Sequence, residues 1–166
     1  MELFLGGVVV AILVFILVMY LMGKRMPVSH TSTLSHKFFA PVDKVWKMIT
    51  DLPTYSNWRG IKVEQMGPKK WKETVQGKPV IMEETERVEN SRYVTRISNE
   101  NRHLQYGGQW VFEFVPEKDG STVVTITENG EVYQPIMRFI SKYFYGHNTT
   151  KRIYLVKLEK ALQEGK

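Results

Sequence analysis

Glu128, His147 and Tyr154 are the side chains whose types and spacing are suited to chemistry. In the segment Thr122 to Glu128, strand alternation puts Val124, Ile126 and Glu128 on one face, so a carboxylate follows two apolar neighbours. A carboxyl group held among apolar side chains has a raised pKa and can bind a polar headgroup or act as acid or base. It can equally pair with Arg138 or Lys142 and do no more than hold a helix start. His147 lies on an apolar helical stripe, with Tyr143 one turn before it and Tyr154 two turns after, so all three can point into one interior. The alternative is a helix that opens at this point, because Gly146, Thr149 and Thr150 are poor helix formers. If catalytic, Glu128, His147 and Tyr154 would divide the roles of acid, base and orienter.

Other chemistries are excluded by what the chain lacks. There is no cysteine, Gly-x-Ser-x-Gly elbow, phosphate-binding glycine loop, dinucleotide fingerprint or His-Glu-x-x-His pattern. Of the four histidines, His30 and His36 fall in or near a linker, so neither a metal site nor a cofactor is expected. Glu83, Glu84 and Glu86 resemble paired carboxylates. A two-residue hairpin at Asn90-Ser91 would set Thr85 opposite Arg96 and Glu89 opposite Arg92, and cross-strand neutralisation then accounts for the cluster. The Asn148-Thr149-Thr150 sequon lies within a predicted helix and carries no assignment.

The elements that position these residues begin with an anchor. Leu3 to Met22 is an uncharged run in which fourteen of twenty residues are Leu, Ile, Val or Phe. As a helix it is about 30 Å long, the thickness of a bilayer's hydrocarbon core, and its insertion is favoured by about 4 to 8 kcal/mol. Glu2 before the run, and Lys24 and Arg25 after it, do not fit a signal peptide, which starts basic and ends in a small-residue cleavage site. The same two cations predict a single-pass cell-membrane protein with its soluble domain in the cytoplasm. Residues 1–23 are thus expected to be a transmembrane anchor, 24–32 a tether and 33–166 one domain. The net charge of +6 suits anionic lipid rather than nucleic acid, given the anchor. Lys69, Lys70, Trp71 and Lys72 form a dense basic cluster around an aromatic ring and are a candidate membrane contact.

Within the domain, Leu34 to Phe39 reads as a strand. Pro41, Val42, Val45, Trp46 and Ile49 read as a helix of about ten residues. A short second helix ends at Trp58. Extended segments follow at about 61–66, 70–75, 80–88, 92–98, 109–115 and 122–128, joined by turn chemistry at Gly67-Pro68, Gly77-Lys78, Asn90-Ser91 and Asp119-Gly120. A long helix from about Pro135 to Leu162 closes the chain. On its wheel Phe139, Ile140, Tyr143, His147, Tyr154, Leu158 and Ala161 fall within about 60° of Ile136.

This order of elements, with Phe38-Phe39-Ala40-Pro41-Val42-Asp43-Lys44-Val45-Trp46, Asp51-Leu52-Pro53-Thr54-Tyr55-Ser56-Asn57-Trp58 and Gly120 to Glu128, resembles the START-like (SRPBCC) helix-grip superfamily of polyketide cyclases, dehydrases and lipid-transport domains. The resemblance implies an α+β fold: a curved antiparallel sheet wrapped around a long C-terminal helix, with two short helices after the first strand, here preceded by one transmembrane helix. It also implies a cavity between sheet and helix for a hydrophobic or amphipathic small molecule. Trp58, Trp110, Phe112, Glu128, Phe139, Tyr143, His147 and Tyr154 are the expected lining, with Trp58 at the mouth. The expected function is a membrane-tethered, lipid-like ligand-binding domain. The alternatives are a cyclase or dehydratase using Glu128, His147 and Tyr154, or an adaptor without ligand.

Overall fold

The computed structural model describes residues 2–75, 77–98, 100 and 104–165. Helix α1 (Glu2–Arg25) is followed by β1 (Ser29–Phe38), α2 (Val42–Thr50), a 3-10 turn (Leu52–Thr54) and α3 (Tyr55–Trp58). Strands β2 (Lys62–Gly67), β3 (Lys70–Val75), β4 (Lys78–Val88), β5 (Arg92–Ile97), β6 (Tyr106–Pro116) and β7 (Thr122–Val132) come next. The chain ends with α4 (Pro135–Ile140), a π turn (Ser141–Tyr145) and α5 (Thr149–Glu164). The strands form one antiparallel sheet in the order β1-β7-β6-β5-β4-β3-β2. This is the α+β helix-grip architecture.

Its core fills one end of the grip. Phe38, Val45, Ile49, Tyr93, Phe112, Val124, Ile126 and Leu158 are all buried there. Helix α2 contributes Val45, Trp46, Met48 and Ile49, the spacing that keeps one helical face inward, and α5 contributes Leu155, Leu158, Ala161 and Leu162. Burying each large aliphatic side chain is worth about 2 kcal/mol. Thr122 Oγ1 donates to the Ala40 carbonyl at 2.9 Å and ties the start of β7 to the turn before α2.

The structure differs from the sequence expectation in four places. First, β1 begins at Ser29 and pairs with β7 from Ser29↔Glu131 onward, so only Met26–Val28 separate it from α1. The polar alternation His30, Ser32, Leu34, His36, Phe38 faces inward and carries too little hydrophobic contrast to read as a strand.

Second, the β4–β5 register is offset. Arg96 faces Glu83 and Arg92 faces Val88, because the loop holds three residues and β4 carries a bulge between Glu84 and Glu86. Asn90 adopts φ 54° in that loop. Neutralisation still occurs, through Arg96–Glu83, Arg87–Glu84 and Arg92–Glu86 ion pairs.

Third, the Pro135–Leu162 helix is broken. Gly146 N–H donates to the Ser141 carbonyl, closing a π turn, and Gly146 itself sits at φ 68°, ψ 148°. The helix stops at Gly146 and restarts at Thr149, the opening that the poor helix formers Gly146, Thr149 and Thr150 allow, so the single stripe drawn from Ile136 does not run unbroken into α5.

Fourth, Trp71 is not a surface anchor. It is 2% exposed, pointing inward from β3 opposite Met82. Strand alternation turns Lys70 and Lys72 outward, where they pair with Glu100 and Glu64, so the basic cluster is divided and neutralised. Lys69 precedes them in the β2–β3 hairpin, at the sheet edge away from β1.

Candidate functional site

Beyond the core, the sheet and the C-terminal segment part to leave a cavity of about 860 Å³. Its walls come from β1, β3–β7, the α3 end, α4, the π turn and the first turns of α5. Apolar side chains dominate: Met82, Ile97, Trp110, Phe112, Val132 and Met137. Trp110 lies directly across from Glu128, Phe112 from Ile126 and Phe114 from Val124, so the two alternating faces read from sequence meet on the same side of the sheet. Phe112 and Phe114 descend into the core, while Trp110 and Phe112 also meet Tyr154 at 5.6 and 5.7 Å between ring centroids.

One polar centre sits near the N-terminus of α5. Lys151 is completely buried, and its ammonium donates to Ser32 Oγ at 2.6 Å, Glu128 Oε2 at 2.6 Å and the His147 carbonyl at 2.7 Å. Three N–H groups meet three acceptors, so the cation is fully satisfied and has no lone pair for nucleophilic attack. Glu128 is 21% exposed and lines the cavity, its other oxygen 3.9 Å from His30 Nε2. His30 stacks on His147 with ring centroids 3.9 Å apart. Burial, then the neighbouring His147, hold the His30 imidazole below its ordinary pKa, against the opposing pull of Glu128.

A second centre lies at the α3 end. Arg59 donates to both oxygens of Glu73, at 3.0 and 3.1 Å, and the Trp71 indole N–H donates to the same carboxylate at 3.0 Å. The guanidinium lies over the rings of Tyr55 and Tyr154, 4.6 and 5.3 Å from their centroids. Burial works against the charge of Arg59, and Glu73 together with Tyr55 and Tyr154 more than offsets it, leaving the guanidinium above its ordinary range. Burial also pushes the Tyr55 and Tyr154 phenols up, so both remain neutral donors. Tyr55 spends its hydroxyl on the Ile49 carbonyl. Tyr154 borders the cavity, and its buried Oη has no hydrogen-bond partner among the described residues.

Of the sequence-predicted lining, Trp110, Phe112, Glu128, His147 and Tyr154 border the cavity. Phe139 and Tyr143 do not. Their rings meet at a tilt, with centroids 4.8 Å apart, outside it. Trp58 is buried behind the wall, edge-on to Tyr55 and Tyr154, and supports Tyr154 rather than gating a mouth. Glu128 pairs with Lys151, while Arg138 donates instead to the Met26 carbonyl.

Sequence reasoning passed over His30, Glu73 and Lys151. Each had a signal: His30 alternates with Leu34 and Phe38, Glu73 follows Trp71 by two on β3, and Lys151 falls about 60° from Ile136 on the same wheel as the apolar stripe. Among the described residues no group of three or more His, Asp or Glu side chains is placed to hold a metal ion.

The family model for polyketide cyclase / dehydrase and lipid transport matches residues 29–153. Several solved structures share the fold. A START superfamily protein from Mycobacterium smegmatis superposes with a TM-score of 0.65 at 16% identity, over 82% of this chain and 99% of that one. A norcoclaurine synthase point mutant from Thalictrum flavum, in complex with a transition-state analogue, gives 0.63 at 10% identity, over 83% and 96%. A conserved protein from Geobacillus kaustophilus gives 0.61 at 18% identity, over 81% and 96%. At these identities the likeness is one of fold. The search of curated proteins gives no match.

Proposed function

Since the chain belongs to the polyketide cyclase / dehydrase and lipid transport family, we propose that it is a membrane-tethered binding domain which holds one hydrophobic or amphipathic, lipid-like molecule between the sheet and α5. The observation that carries this reading is the cavity itself, an apolar interior of about 860 Å³ with ionic centres at Glu128–Lys151 and Arg59–Glu73. That volume falls in the range of small-molecule sites, and apolar walls with few polar groups fix the orientation of an amphipathic guest. Glu128 and His30 offer polar contacts to a headgroup. Trp110, Phe112 and Met82 offer packing to a tail.

The tether in this proposal is α1, in which Gly6–Arg25 is long and apolar enough to cross a membrane. Lys24 and Arg25 at its end orient the domain towards the cytoplasm by the positive-inside rule. Anchoring raises the concentration of the cavity near membrane-borne ligand.

A cyclase or dehydratase reading draws on Glu128, His147 and Tyr154 sharing the cavity wall. Against it, one Glu128 oxygen is committed to Lys151, so the carboxylate has the partners of a structural ion pair rather than those of a free base. Native mass spectrometry of the purified full-length protein tests the choice. Binding predicts one defined hydrophobic species retained at unit stoichiometry and released unchanged. An empty cavity across lipid extracts, or a bound species that is chemically altered on incubation, overturns it.

A further inference from the structure

The π turn exposes a run of aromatic rings, of which only Tyr145 also borders the cavity. Tyr143, Phe144 and Tyr145 are 53%, 69% and 68% exposed, and Met137 on α4 is exposed as well. This segment is held to the last turns of α1. Gly23 lies so close to Pro135 that a Cβ there would come within 1.9 Å of the Pro135 carbonyl oxygen. Arg138 Nη1 donates to the Met26 carbonyl at 2.9 Å. The height of α4 and the π turn relative to any bilayer is therefore set by the end of α1 that carries Lys24 and Arg25.

Charge along the segment has one sign. From Val132 to Leu158 there is no Asp or Glu, while Arg138, Lys142, Arg152 and Lys157 are present besides the buried, paired Lys151. Residues 3–42 likewise contain no acid. Tyrosine and phenylalanine beside lysine and arginine form the composition that settles at the level of lipid headgroups and their phosphates. The same segment is also cavity wall, through Met137, Ser141, Tyr145, Gly146 and His147.

We infer that residues 135–146 dock on the headgroup layer of an anionic bilayer, and that the cavity opens there, so ligand passes between leaflet and cavity without crossing water. The inference rests on α1 being a membrane span. Met137 and Tyr145 line the passage, and Phe144 inserts beside it.

The chain has no cysteine, so single-cysteine variants can be labelled cleanly in the full-length protein. Phe15→Cys, Phe144→Cys, Tyr145→Cys and Val88→Cys, each carrying an NBD fluorophore, are reconstituted into phosphatidylcholine vesicles with and without phosphatidylglycerol. Quenching is read with lipids bearing nitroxide near the headgroup or deep in the acyl chain. Labels at 144 and 145 should be quenched several-fold more strongly than at 88 by the shallow nitroxide, with emission shifted further to the blue when phosphatidylglycerol is present. The label at 15 should respond to the deep nitroxide. If 15 is quenched while 144 and 145 behave like 88, the docking inference fails and the span stands. If 15 is also unquenched, the span fails and the inference with it. Blue-shifted but unquenched emission at 144 and 145 would mean protein covers the segment, and would overturn the lipid assignment.

Discussion

Lys151 Nζ lies 2.6 Å from Glu128 Oε2, joining the first turn of α5 to the inner face of β7, and the two ends of this bond are unequally wet: the lysine is fully buried, whereas the glutamate is 21% exposed. Removing the carboxylate strands a buried ammonium, while removing the ammonium leaves a carboxylate that cavity water can reach. Glu128→Gln is therefore expected to cost about 2 to 4 kcal/mol, and Lys151→Met about 1 to 2 kcal/mol. The double variant should recover most of the larger loss. Thermal and denaturant unfolding of the four proteins gives the coupling energy directly. Strictly additive losses would show that the pair is not a coupled unit.

His30 makes stability depend on pH. Its imidazole is held below the ordinary value of 6.5, chiefly by burial and then by the stacked His147. The unfolded chain accordingly binds the proton more readily than the folded one. The contribution is neutral above the ordinary value, and stability falls as pH drops through 6.5 towards the lower folded value. His30→Phe keeps a ring on His147 and removes the titration. Its melting temperature should vary less than that of the unsubstituted protein between about pH 7.5 and 5.5. Identical slopes for the two proteins would sink the assignment.

Periodicity made the fold readable in advance wherever one face of an element is uniformly apolar. The strand Lys70–Val75 and the face Val124, Ile126, Glu128 follow from alternation, and α2 follows from Val45, Trp46 and Ile49 after Pro41. Failures fell where burial is polar. His30 and Ser32 look like linker because their inward face meets polar partners rather than an apolar core: His30 borders the cavity and Ser32 accepts from Lys151. Lys151 was passed over because a lysine on an apolar stripe reads as an interruption, when its three acceptors lie on β1, on β7 and at His147 just before α5. The π turn and the break at Gly146 are backbone events that no hydrophobic pattern reports, and Phe139 and Tyr143, read on one continuous wheel, lie off the cavity. The turn chemistry of Asn90-Ser91 located the β4–β5 hairpin but not its register, which a three-residue loop and a bulge reset.

The clasp between Arg59 and Glu73 should respond to shape as well as charge. A guanidinium spans both carboxylate oxygens while lying over the rings of Tyr55 and Tyr154, whereas an ammonium cannot make the two-pronged contact. Arg59→Lys is expected to lose about 1 to 3 kcal/mol despite keeping the charge. Near-ultraviolet circular dichroism should change with it, because the tyrosine rings lose their cover. An Arg59→Lys protein with unchanged melting temperature and unchanged spectrum would show the clasp to be dispensable.

Gly146 provides a test that separates backbone strain from contact. At φ 68°, ψ 148° it occupies a region that side-chain-bearing residues avoid, yet a Cβ added there would meet nothing within 4 Å. Gly165, at φ 71°, ψ 22°, is instead an ordinary left-handed helix cap, which asparagine tolerates. Gly165→Asn should therefore be nearly neutral. Gly146→Asn and Gly146→Ala should each cost about 1 to 3 kcal/mol, because asparagine's tolerance extends to the left-handed helical well and not to an extended ψ. The lowest-cost relief in these variants is to let the helix of α4 run on towards α5, which swings Tyr145 and His147 away from the cavity wall. Ligand retained in native mass spectrometry should fall in the Gly146 variants and persist in Gly165→Asn. Equal retention in all three would place the break outside the binding function.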